Sequence, residues 1–118
     1  MESFNITHRV GNNSKKGERF YVILDGLTKQ RAETLIALIL AMQEHGGQTA
    51  DKGIQEKTWK EVMRSMEEFD GVPALRLPSG ATKEAAEDVL RNVRGTFQFL
   101  MEKSPNVLDN MGQRHEMN

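Results

Sequence analysis

The sequence predicts a small α+β domain, a small antiparallel sheet covered by about three helices in the order β-β-α-α-(β)-α. Three observations lead there. Residues 4–10 alternate apolar and polar with period two, and a β-branched, aromatic run follows after a polar link, which together read as a hairpin. Three later segments carry apolar side chains at helical spacing. A chain of 118 residues fits one domain with an ordinary core.

Phe4, Ile6, His8 and Val10 share one face of the first strand. In the second, Glu18 to Asp25 (ERFYVILD), Phe20, Val22 and Leu24 face one way and Tyr21 and Ile23 the other. Apolar character on both faces predicts a central strand, or one whose outer face meets a partner. The link Gly11-Asn12-Asn13-Ser14-Lys15-Lys16-Gly17 is built of turn formers and reads as a long hairpin loop.

Asp25-Gly26 turns the chain, Thr28 caps a helix, and Gly46-Gly47 stops it after His45. Ala32, Leu35, Ile36, Ile39 and Met42 form its main stripe, and Leu38 and Leu40 widen it. The remaining face holds Glu33, Thr34, Ala37 and Ala41, so this helix must be covered on nearly every side. Gln55 to Phe69 places Trp59, Val62, Met63, Met66 and Phe69 on one face and reads as a single amphipathic helix ended by Asp70-Gly71. Val72 to Pro78 is extended, and its two prolines confine it to a short edge strand or a packed loop. With Thr82 or Ser79 as cap, a last helix carries Ala86, Val89, Leu90, Val93, Phe97, Leu100 and Met101 on its core face, with Phe99 outside that stripe. Ser104-Pro105 ends it. Residues 1–104 are expected to form the domain and 105–118 a flexible tail.

Composition removes several functions. With no cysteine there are no disulfides, thiolate metal sites or cysteine nucleophiles, which fits a cytoplasmic setting. MESFNITHRV lacks a basic start and an apolar core, so no signal peptide is expected, and LIALILAM is too short to span a bilayer. A net charge of −1 excludes a globally basic nucleic-acid binder. His8, His45 and His115 are scattered, with no pair at metal-ligand spacing, and no metal or other cofactor is expected. Asp25 reads as a turn residue, and no serine-nucleophile motif is present, so no catalytic residue is assigned and no enzyme is expected.

Three surfaces remain. The apolar surplus of the first helix and second strand marks Tyr21, Ile23, Ala37, Leu38, Ala41 and Phe99 as a candidate protein–protein interface. Arg9, Lys15, Lys16 and Arg19 make a basic hairpin that could follow a phosphate backbone, although no aromatic residues interleave in the loop. Ser79, Thr82 and Lys83 put hydroxyls and a lysine at a helix start, where free N–H groups can meet a small anion or nucleotide, although Walker spacing is absent. The leading expectation is a non-enzymatic binding or regulatory protein that acts by occupancy as a homo-oligomer. Nucleic-acid binding by the hairpin and anion binding at the helix start are the alternatives.

Overall fold

The alternating first segment and the β-branched, aromatic second one pair as expected. In the computed structural model, which describes residues 2–12, 17–45 and 54–111, β1 (Ser3–Val10) and β2 (Glu18–Asp25) form an antiparallel hairpin from Ser3↔Asp25 to Val10↔Glu18. The side chain of His45, the loop lysines Lys15 and Lys16, the Gly46-Gly47 stop and residues 112–118, His115 among them, lie outside the described residues.

The chain continues as α1 (Lys29–His45), α2 (Glu56–Ser65), β3 (Met66–Phe69), β4 (Val72–Arg76), α3 (Lys83–Lys103) and a short α4 at 107–111. All four strands form one antiparallel sheet in the order β1-β2-β4-β3. Both predicted caps are made: Thr28 Oγ1 accepts from the Arg31 N–H at 3.1 Å, and Thr82 Oγ1 accepts from the Ala85 N–H at 3.0 Å.

Two expectations need correction. The helix predicted over Gln55–Phe69 ends at Ser65, and Met66 turns extended (φ −97°, ψ 140°) to begin β3. Asp70 (φ 54°) and Gly71 (φ 82°) are both left-handed, which is the two-residue hairpin turn that Asp-Gly favours, so Asp70-Gly71 joins two strands rather than ending a helix. The segment expected at a sheet edge is internal, since β4 lies between β2 and β3. Pro73 is tolerated there because the β2 ladder runs only from Tyr21↔Arg76 to Ile23↔Ala74, leaving Pro73 one residue beyond it.

One face of the sheet carries Phe4, Val22, Leu24 and Leu75 into a core shared with α1, α2 and α3. Phe4 meets Phe97 edge-to-face at 5.3 Å, and the Arg94 guanidinium donates to the Phe4 carbonyl, tying α3 to β1. The chain itself wraps α1, burying Ala32, Leu35, Ile36, Ala37, Leu38, Ile39 and Ala41. Buried Thr34 satisfies its hydroxyl on the Gln30 carbonyl at 2.8 Å. The stretch after Ser104 is not a free tail from its start. Leu108 is fully buried in the same core, Val107 and Met111 pack beside it, and Asp109 lies 3.6 Å from Arg31.

Candidate functional site

The opposite face of the sheet explains the apolar second side of β2. Tyr21, Ala74 and Phe69 are buried there with half-buried Ile23 against them, and Tyr21 meets Phe69 edge-to-face at 5.0 Å. The chain closes this small core by folding Gly11-Asn12 back over it. The Asn12 N–H donates to Glu67 Oε1 at 2.9 Å, and its side-chain amide donates to the Glu68 carbonyl. The Tyr21 hydroxyl donates to Glu67 Oε2 at 3.0 Å, and Arg76 Nη1 lies 3.3 Å from the same oxygen. Glu67, 9% exposed, thus ties the hairpin loop at Asn12, β2 and β4 to β3 through one carboxylate. Burial, then the hydrogen bond to Glu67 and its negative charge, raise the Tyr21 pKa above 10.0, so the hydroxyl stays protonated and donating. The Arg9 guanidinium stacks 4.0 Å from the Phe69 ring centroid and covers the edge of this cluster.

These contacts redistribute the candidate interface. Tyr21, Ala37, Leu38 and Ala41 are buried within the chain and Ile23 is half-buried, because the hairpin and the helices cover what the sequence leaves bare. Phe99 alone of the six stands out, 55% exposed on the outer side of α3. It borders a shallow groove of about 600 Å³ between α1 and α3, lined also by Met42, Asp88, Arg91, Asn92, Gly95 and Thr96, with Arg91 Nη1 2.8 Å from Asp88 Oδ1. Gly95 sits inside a 21-residue helix, and a Cβ there would meet nothing within 4 Å. Glycine in a helix interior costs about 1 kcal/mol relative to alanine, and packing among the described residues gives no reason for it.

The basic hairpin is partly visible. Arg9 and Arg19 are directly opposite in the β1–β2 register, and the buried Nε of Arg19 meets no hydrogen-bond acceptor. The helix-start candidates are exposed, but Thr82 already spends its hydroxyl on the cap and Ala81 donates to the Pro78 carbonyl at 3.1 Å. His8 stacks on Phe20 at 4.3 Å, with Nδ1 3.4 Å from Glu18 Oε2, and Asp25 is exposed at the strand end. No group of three or more His, Asp or Glu among the described residues could hold a metal ion.

What sequence reasoning missed is the Glu67 junction and the Gly95 opening. The first was hidden by reading Met66–Phe69 as helix; the second had a signal, a lone glycine inside a strong helical pattern. Comparison of the chain with protein-family models, with curated proteins and with solved structures returns no match.

Proposed function

We propose that the protein is a non-enzymatic binding protein that acts by occupancy as a homo-oligomer, with two copies meeting along the outer face of α3. The observation that carries this reading is the conjunction of exposed Phe99 with a mid-helix glycine whose added Cβ would meet nothing among the described residues. Asp88, Asn92, Gly95, Phe99 and Lys103 fall on one side of the helix, opposite the core residues Ala86, Val93 and Phe97. An antiparallel two-fold pairing that sets Gly95 against Thr96 of a second copy brings Asn92 opposite Phe99 and Asp88 opposite Lys103. At both ends Lys103 of one copy then joins the Asp88–Arg91 pair of the other through Asp88, and the glycine lets the helices approach at the centre. Absence of cysteine fits a cytoplasmic location, and no helix among the described residues is long and apolar enough to cross a membrane.

Light scattering should give twice the 13.4 kDa chain mass at micromolar concentration. Phe99→Ser and Asp88→Lys should yield monomers, and adding Lys103→Asp to Asp88→Lys should restore the pair. Gly95→Ala separates the roles: it should stabilise the monomer by about 1 kcal/mol through helix propensity while weakening association. A wild-type chain that stays monomeric at high micromolar concentration sinks the proposal.

One observation favours a second reading, a polyanion such as nucleic acid on the hairpin. Two arginines directly across a strand pair repel each other, and a phosphate between them would relieve that cost. Affinity for a short oligonucleotide should then fall steeply with salt and drop further in Arg9→Ala/Arg19→Ala. Undetectable binding at low salt eliminates it.

A further inference from the structure

The three helices do not close completely over β4. Where α1, α2, β4 and α3 converge, a cleft of about 220 Å³ opens into the core. Its floor is Ile36, Ile39, Val62, Leu77 and Val93, all buried, and at its mouth Leu40, Leu75 and Val89 are only half-buried. Protein interiors are packed to the density of organic crystals, so an opening of this size beside fully packed neighbours is a departure from the rest of this core.

The chemistry of the lining selects an occupant. Water is poorly served, because none of the buried polar side-chain atoms without a hydrogen-bond partner among the described residues (Arg19 Nε, Arg31 Nε, Thr58 Oγ1) belongs to a residue lining the cleft. Ser65 donates its hydroxyl to the Glu61 carbonyl at 3.0 Å, and the two terminal nitrogens of Arg76 are engaged by Glu67 and the Arg64 carbonyl. No unengaged cation therefore lines it, and the exposed Glu61 side chain at the rim repels an anion. What the rim does offer is two exposed neutral amides, Gln43 and Asn92.

We propose that this cleft binds a small neutral apolar molecule carrying at most one hydrogen-bonding group, held with its apolar part on the Ile36/Val62/Val93 floor and its polar end toward Gln43 and Asn92. An apolar cavity of about 150 Å³ accepts benzene, so by proportion this one accepts about nine non-hydrogen atoms. Indole and 1-octanol have that size and character.

The test titrates the full chain with indole, 1-octanol and, as the charged counterpart, octanoate, reading melting temperature and methyl NMR shifts. At ten times Kd, indole or 1-octanol should raise Tm by about 5 °C. The shifts should centre on the Leu40, Leu75 and Val89 methyls, and octanoate should do neither. Val89→Phe and Leu40→Phe fill the mouth and should each abolish the response. Val89→Ile, one methylene larger, keeps the comparison alive if a phenylalanine variant does not fold, and should weaken binding severalfold. No response to indole or 1-octanol up to their solubility overturns the proposal. So does a response that survives filling, or octanoate binding as tightly as 1-octanol. The oligomer reading is tested separately, since Val89 and Leu40 do not line the groove at Phe99 and Gly95, and Asn92, which borders both, is unchanged in every variant.

Discussion

Leu108→Ala should destabilise the protein by about 2–5 kcal/mol, the cost of deleting a fully buried leucine and leaving its cavity. The size of this effect is unexpected for a residue beyond Ser104-Pro105, where the last long helix ends. The physical reason is that α1 is apolar nearly all round, and the sheet, α2 and α3 leave part of the shared core for α4 to cover. Arg31 near the start of α1 reaches Asp109 at 3.6 Å, which fixes where the segment lands, although an ion pair this exposed contributes little by itself. Asn110→Ala, an exposed change in the same short helix, should stay within about 0.5 kcal/mol. Urea unfolding midpoints of the two variants decide the matter. If they coincide, residues 105–111 are not part of the core.

Much of the architecture is legible in the chain because local and long-range preferences agree. Alternation in β1, the β-branched and aromatic run of β2, the Thr28 cap and the stripe of α3 each specify one structure, and each forms, while Thr82 rather than Ser79 caps α3. The α2–β3 boundary is different. Trp59, Val62, Met63, Met66 and Phe69 satisfy helical spacing, so periodicity alone runs the helix on. The competing signal is the Asp70-Gly71 pair, whose hairpin geometry lets Met66 and Phe69 pair with Leu75 and Val72. Long-range pairing wins over local period there; of the three members that stay on α2, Trp59 and Val62 are buried and Met63 is 54% exposed. The candidate interface fails to read for a related reason. Apolar residues on both faces of β2 and around α1 state only that something covers them. Whether the cover is the same chain depends on contacts such as Asn12 with Glu67, 55 positions apart, which no local pattern encodes. Phe99 is legible because it breaks a pattern rather than completing one.

The Glu67 junction predicts that a glycine in a loop-like sequence is a packing residue. Gly11→Ala should cost about 3 kcal/mol. A Cβ at Gly11 would fall 2.0 Å from the Tyr21 hydroxyl oxygen and 2.7 Å and 2.8 Å from the two Glu67 carboxylate oxygens. Tyr21 is fully buried and has no room to retreat, so the Gly11-Asn12 backbone must lift. Lifting it strains the packing and surrenders both Asn12 hydrogen bonds, at about 1 kcal/mol each. Glu67→Ala should cost a similar amount by the opposite route, stranding the buried Tyr21 hydroxyl and the Asn12 N–H without their acceptor. The two variants act on one network, so their effects should not add. The sharper test pairs Gly11→Ala with Tyr21→Phe, which removes the nearest obstructing atom and leaves only the Glu67 carboxylate, the end of a side chain that can rotate away. In that background Gly11→Ala should cost at least about 1 kcal/mol less than it does alone. Strict additivity of the two substitutions, measured by chemical denaturation, would show that Gly11 does not close over Tyr21 and that the outer face of the sheet is open to a partner after all.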